Sequence, residues 1–245
     1  MSSLHFRTNR QQSARYTEPE PLPLVTSGLR VPGVIYWRKS GKSEGYSLTW
    51  ETLKPDWPLW VIQAGLFGGA IALHAALPEQ MPLGWALFEP VMILGLYLLM
   101  LLLPLLDPWR RNYARFDGVY RLLRWLTVLF MSGVCAISRA EALGYEVDAV
   151  LLLDVGTALL FIVFGNVMGQ IRPNFFVGIR VPWTLADEEV WRRTHRLAAR
   201  VWVLGGLVCL ALAPVQAPWS PYAFVACLLV MGLAPMIYSY AISGG

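Results

Sequence analysis

The chain has little charge for its length. Lys, Arg, Asp and Glu make up 15% of its 245 residues, against about 25% in soluble globular domains. Hydrophobic residues make up 56%, against roughly 45–50% in such domains. Together the two deviations exclude an ordinary soluble domain and indicate a protein that is embedded in a membrane.

Cysteine and histidine are also scarce. The three cysteines fall inside apolar stretches, where a lone thiol behaves as a small hydrophobe rather than as part of a disulfide framework or metal site. The histidines are widely separated and form no ligand set; they are His5, His74 and His195. We find no nucleophile elbow, metal-ligand spacing or phosphate-binding glycine loop. We therefore expect no enzyme activity, no cofactor and no nucleic-acid partner.

What the chain does have is six long apolar stretches. Each approaches the roughly 20 residues that a helix needs to cross a bilayer. They cover residues 57–77, 83–106, 119–137, 149–168, 197–213 and 222–242. Continuous apolar runs favour helices over a barrel, whose strands alternate in polarity. The sequence predicts an all-α membrane bundle of six spans over residues 57–245, with the fifth span continuing a cytoplasmic helix.

Lysine and arginine alternate between the connections. Residues 1–56 carry eight. The connection after span two carries five when Arg121 and Arg124, at the start of span three, are included, and that after span four carries six with Arg200. The connection after span three has only Arg139, and the remaining connections and the C-terminus have none. The positive-inside rule then places both termini in the cytoplasm. We expect a multi-pass membrane protein in contact with membrane lipids.

Residues 1–56 form a polar arm rich in proline, serine and charge. Composition alone favours a disordered cytoplasmic tail. Within it, residues 29–37 are apolar enough to dock on a partner or on the membrane surface. We expect the arm to be an interaction element for a protein partner.

The connection after span four is the most distinctive stretch. Pro173 breaks the helix and Gly178 allows a tight turn. The stretch from Thr184 to Asp187 is typical of a capped helix start, with Asp187, Glu188 and Glu189 at the positive end of the helix dipole. Trp191 and His195 are four residues apart and share a face of that helix. The pattern predicts a folded cytoplasmic cap.

These residues resemble the SdpI family of bacterial integral membrane proteins, which implies a place in the bacterial inner membrane. The likeness in the connection after span four lies at Gly165, Asn166, Met168, Asn174, Phe175, Gly178, Ile179, Arg180, Pro182, Trp183, Thr184, Leu185, Val190, Trp191, Thr194, His195 and Arg196. The connection after span two shares Asp107, Pro108, Arg110, Asn112, Tyr113, Phe116 and Tyr120 with the family. The resemblance implies immunity to a membrane-active peptide toxin, and signalling by holding a cytoplasmic repressor at the membrane.

The chain departs from the family in two places. Its first outer connection is short, running from Leu77 through Pro82 directly into Leu83. It also carries the long arm where the family begins near its first span. Both departures keep a second interpretation open, an accessory or scaffold subunit of a larger membrane complex.

Two sets of candidate site residues follow. The cytoplasmic set binds a partner or lipid headgroups and comprises Asn166, Asn174, Arg180, Trp183, Trp191, His195, Arg196, Arg110 and Arg111. Plain anchoring in the headgroup layer is the alternative for this set. The intramembrane polar set comprises His74, Glu89 and Asp154. Ionisable groups at that depth either tie helices together or line a polar outer cavity. The cavity would favour a third interpretation, a small transporter or channel.

Overall fold

The computed structural model describes residues 46–215 and 217–244. This part of the chain contains six helices long and apolar enough to cross a membrane. The helices are α1 Trp50–Leu53, α2 Trp57–Ala76, α3 Leu83–Leu106, α4 Asp117–Ala142, α5 Ala149–Met168, α6 Pro182–Ala186, α7 Glu188–Leu212 and α8 Ser220–Ile242. Lys54–Asp56 and Arg110–Arg115 are 3-10 segments. The predicted all-α class with six spans is confirmed.

Four of the six spans begin and end close to the predicted positions, and α3 and α5 agree at both ends. The two exceptions, α4 and α7, extend beyond their apolar stretches. The predicted continuation of a helix into the fifth span is confirmed, because α7 already begins at Glu188. The orientation of the termini stays a prediction from the charges of the connections.

Most of the predicted arm, residues 1–45, lies outside the described residues. The described remainder packs on the helices. Tyr46 is buried, and its hydroxyl donates to the carbonyl oxygen of Leu101 at 3.3 Å. Asp56, the residue before α2, is fully buried. Residues 46–56 are therefore joined to the folded helical domain.

The spans are arranged as two groups of three. In the first half, α3 packs against both α2 and α4. In the second half, α7 packs against both α5 and α8, and α5 with α7 is the most extensive helix pair of the described chain. The halves meet along α4 and α5, which share a smaller contact.

The α5–α7 pair is close because glycine lies at its crossing points. A Cβ on Gly165 would come within 2.8 Å of the backbone nitrogen of Val203. A Cβ on Gly206 would come within 2.9 Å of the carbonyl oxygen of Ala158. Small residues let membrane helices approach until their backbones touch, which strengthens packing where no hydrophobic force acts between helices. Gly165 and Gly206 thus set the close approach of α5 and α7.

Candidate functional site: a folded cap at one end of the bundle

Two connections lie together at one end of the bundle and are called here the cap. They are residues 107–116, between α3 and α4, and residues 169–187, between α5 and α7. Each belongs to a different half of the bundle. Their contacts therefore join the two halves at this end.

Asp107 is the central residue of the cap. Its carboxylate is buried and accepts three hydrogen bonds. The backbone N–H of Trp109 donates to Oδ1 at 2.7 Å, and the Tyr113 hydroxyl and the Phe175 backbone N–H donate to Oδ2 at 3.0 and 2.8 Å. Phe175 is 68 residues away in the sequence. This one carboxylate thus stabilises the turn in residues 107–116 and also binds the backbone of residues 169–187.

Asn174 shapes the second connection from within. It is fully buried, and its Oδ1 accepts from the backbone N–H groups of Phe176 and Val177 at 3.0 and 2.6 Å. Its Nδ2 donates to the carbonyl oxygens of Arg172 and Val177, each at 2.9 Å. Every hydrogen-bonding direction of the amide is used by the backbone of residues 172–177, so this side chain replaces the hydrogen bonds of a regular element.

The hydroxyl of Tyr113 lies between Asp107 and Asn174. It is 3.0 Å from Asp107 Oδ2 and 3.3 Å from Asn174 Oδ1, so its single proton serves the nearer carboxylate. Burial, with the negative charge of Asp107 second, raises the pKa of Tyr113 well above its usual value. A second bond across the connections runs from Asn112 Nδ2 to the carbonyl oxygen of Pro173 at 2.6 Å.

Trp191 and His195 hold the turn that follows. Their rings stack with centroids 4.1 Å apart, which confirms the predicted shared face. Trp191 Nε1 donates to the carbonyl oxygen of Ile171 at 3.0 Å. The Ile179 backbone N–H donates to His195 Nε2 at 3.1 Å, while Nδ1 lies 2.8 Å from the Trp191 carbonyl oxygen. This arrangement requires a neutral imidazole with its proton on Nδ1.

Gly178 makes that contact possible. Its φ is +109°, a conformation that residues with a Cβ rarely adopt. A Cβ at this position would also lie 2.4 Å from His195 Nε2. The predicted tight turn is therefore observed, and its glycine is required twice, by the backbone conformation and by the closeness of the imidazole.

The short helix α6 ties the cap to the last span. Trp183 Nε1 donates to Ser239 Oγ on α8 at 2.7 Å, and the ring packs edge-on against Tyr240. The Asp187 side chain caps α7 by accepting from the N–H groups of Glu189 and Val190. The helix start predicted over Thr184 to Asp187 is thus observed at its last residue, because Thr184 itself lies within α6.

The predicted cytoplasmic set divides into an interior and a surface. Asn174, Trp191 and His195 are buried, and Trp183 is half-buried. The exposed members are Asn166, Arg110, Arg180 and Arg196, with Arg111 half-buried. Arg180 Nη1 donates to the Phe175 carbonyl oxygen at 2.5 Å; this carbonyl lies in the turn, outside any helix. The interior residues build the cap, and the arginines with the half-exposed Phe175 form its outer surface.

Beside the cap lies a buried ion pair that sequence reasoning missed. Arg124 Nη2 is 2.6 Å from Asp56 Oδ2, and both side chains are almost inaccessible to solvent. Tyr97 and Trp125 also donate to Asp56, at 3.0 and 2.8 Å. From the sequence, we assigned Arg124 to the arginines of the connection after span two, although it lies within α4. An aspartate directly before an apolar span was the available signal.

The intramembrane polar set does not form one cluster. Glu89 accepts from the Cys135 thiol at 3.0 Å and lies 4.0 Å from Arg139 Nε, within the first half. His74 Nδ1 lies 3.0 Å from the carbonyl oxygen of Met81, across the connection between α2 and α3. Asp154 belongs to α5, in the second half. Across residues 46–215 and 217–244, no group of three or more His, Cys, Asp or Glu side chains is placed to hold a metal ion.

The chain is similar to known proteins over a region that includes part of the cap. The model of the SdpI/YfhL protein family matches residues 170–239, which run from the second connection of the cap through α7 into α8. The resemblance to the SdpI family is confirmed. A curated relative, the Immunity protein SdpI of Bacillus subtilis (strain 168), is 29% identical over 158 residues, which cover 59% of this chain and 74% of the relative. No solved structure matches the chain. The SdpI likeness and the six helices together identify a multi-pass membrane protein.

Proposed function

We propose that the chain is an immunity-type membrane protein that confers resistance to a membrane-active peptide and engages a cytoplasmic protein through the cap. The name of the SdpI relative and the extent of the match support the immunity part. The family match begins at residue 170, inside the cap. The cap is thus the part of the molecule that the likeness and the geometry share.

The single observation that carries partner binding is the division of the cap into a fixed interior and a basic exterior. Asp107 and Asn174 hold the backbone of both connections from inside. The exposed arginines are then presented by a framework that is ordered before binding, so little entropy is lost when a partner docks. Their charge suits an acidic protein surface, to which arginine binds through paired hydrogen bonds.

The charges of the connections support a cytoplasmic partner. Both segments of the cap belong to the arginine-rich connections, which the positive-inside rule assigns to the cytoplasm. The same rule assigns the short connections at the other end of the bundle to the outside. A peptide acting from outside and a partner acting from inside would then meet opposite ends of one bundle.

Immunity is tested with the secretions of the organism that carries the relative. Bacterial cells expressing the full chain, and cells carrying an empty vector, are exposed to culture supernatant of Bacillus subtilis (strain 168) and to purified pore-forming peptides. We expect the chain to preserve the membrane potential, read with a voltage-sensitive dye, against at least one of these challenges. Equal depolarisation of both cell types by every challenge would contradict immunity.

Partner binding is tested by isolating the full chain in mild detergent and identifying co-purifying proteins by mass spectrometry. We expect Arg180→Ala with Arg196→Ala to release an acidic cytoplasmic protein. Arg192→Ala is the matched control, because Arg192 is also exposed on α7 but is already paired with Glu189 at 2.6 Å. An identical set of partners in both variants would refute the role of the basic surface.

A further inference from the structure

A cavity opens between α4 and α5, where the two halves of the bundle meet. It encloses about 320 Å³ and is lined entirely by aliphatic residues, Phe130 and glycine. Leu129, Leu152 and Leu159 lie in its wall and are 43–48% exposed. The cavity therefore opens onto the outer surface of the bundle, which in a membrane faces hydrocarbon. It lies away from the cap, and the function proposed above makes no use of it.

The length of the cavity matches one leaflet. Its wall runs from Leu126 to Ile137 on α4 and from Leu152 to Val163 on α5. Eleven helical steps rise by about 17 Å at 1.5 Å per residue. Half of a bilayer core is about 15 Å thick. A volume of about 320 Å³ spread over this length leaves room for a single acyl chain but not for a further helix, which is about 10 Å across.

The charge at one end of the cavity selects the headgroup. The connection between α4 and α5 crosses this end and exposes Glu146 and Asp148, and Glu141 is exposed at the end of α4. Arg139 is nearby in sequence, but its Nη1 donates to the Leu66 carbonyl oxygen in the α2–α4 contact, on the opposite side of α4 from the cavity. The rim is acidic, so it repels an anionic headgroup and attracts an ammonium group.

We propose that the α4–α5 cavity is a binding site for a phospholipid with an amine headgroup, with one acyl chain between the helices and the ammonium group at the acidic connection. Phosphatidylethanolamine has this chemistry. Within a membrane such binding depends on van der Waals fit, since the surrounding lipid is equally apolar. Filling the cavity with a side chain therefore removes the site without exposing anything to water.

The full chain is placed in phosphatidylcholine vesicles that contain photoactivatable phosphatidylethanolamine or phosphatidylglycerol, each with a diazirine on one acyl chain. After irradiation, labelled peptides are identified by mass spectrometry. We expect phosphatidylethanolamine to label residues 126–137 and 152–163 several-fold more than phosphatidylglycerol does. Equal labelling by the two lipids, or labelling spread evenly over all six spans, would overturn the proposal.

Two variants test the cavity directly. Gly133 lines it, and a Cβ added there meets nothing within 4 Å, so Gly133→Phe directs a ring into the space from an uncrowded position. Gly95 on α3 is equally open, and Gly95→Phe is the matched control. We expect a several-fold loss of labelling in the first variant only. Equal labelling in both variants would show ordinary annular lipid.

The headgroup is tested separately. Glu141→Gln with Glu146→Gln should abolish the preference for phosphatidylethanolamine while labelling stays on the same peptides. An unchanged preference would refute the role of the acidic rim. A protein that purifies as a dimer and becomes a monomer in Gly133→Phe would assign the cavity to a second copy of the chain and overturn the lipid site.

Discussion

Asp107→Asn is the substitution that tests the cap most directly. It keeps the shape of the side chain but replaces one acceptor oxygen with an NH2 group. Three donors point at the native carboxylate, one at Oδ1 and two at Oδ2. Whichever way the amide turns, at least one donor loses its acceptor.

The expected magnitude follows from these bonds. A buried donor left without a partner costs about 1–3 kcal/mol, and the remaining bonds weaken because the acceptor is no longer charged. We expect a total loss of about 2–4 kcal/mol of stability. Tyr113→Phe removes one of the donors, so the double variant should lose less than the sum of the two single losses.

Thermal unfolding of the detergent-solubilised chain, followed by tryptophan fluorescence, measures the loss. Hydrogen exchange locates it, since the backbone N–H of Phe175 should exchange faster while α2 and α8 stay protected. Asp117→Asn is the matched control; this aspartate is exposed at the start of α4, and its effect on the helix dipole is about 0.3–1 kcal/mol. If Asp107→Asn unfolds at the same temperature as this control, or if the exchange of Phe175 is unchanged, Asp107 does not hold the two connections together.

Three further predictions concern the same end of the bundle and the topology. Arg124→Met should lower stability by about 3–5 kcal/mol in thermal unfolding, because it leaves Asp56 charged and buried; adding Asp56→Asn should recover part of the loss, and no recovery would contradict the pairing. The proton of Tyr113 is held more tightly in the folded chain, so its contribution is complete below about pH 10 and lost as pH rises further; Tyr113→Phe should flatten that decline, and an unchanged profile would refute it. A cysteine at the exposed Ala186 should resist a membrane-impermeant reagent added outside, whereas one at Leu143 should react, and the reverse pattern would invert the topology.

The spans were predictable from the sequence because their ends carry local signals. Pro82 directly precedes α3 and Asp148 caps α5, so polarity and helix boundary coincide there. In α4 and α7 the helix continues into polar residues. Only α7 carries a local sequence signal for this extension, the capping aspartate Asp187. Hydropathy predicts the part of a helix that lies in the hydrocarbon core of the bilayer. A helix can extend beyond that part into polar surroundings.

The cap was predictable in part. The shared face of Trp191 and His195 follows from their spacing, because helix geometry fixes neighbours four residues apart. The role of Asp107 does not follow from any local pattern, since its third partner is 68 residues away. Arg124 and Asp56 are equally distant in sequence, and positive-inside counting registers only the arginine, as a charge near an interface. Long-range hydrogen bonds of this kind exist only once the helices have packed.

The two halves of the bundle are joined unequally along their length. At the cap, hydrogen bonds from Asn112 to Pro173 and from Phe175 to Asp107 connect them, in a region partly shielded from water. Along the bilayer, α4 and α5 meet through apolar surface, which lipid chains can replace at little cost. Separating the halves inside the membrane thus costs less than separating them at the cap. We therefore expect any relative motion of the halves to be a rotation about the cap, which would change the angle between α4 and α5 while the basic surface remains folded.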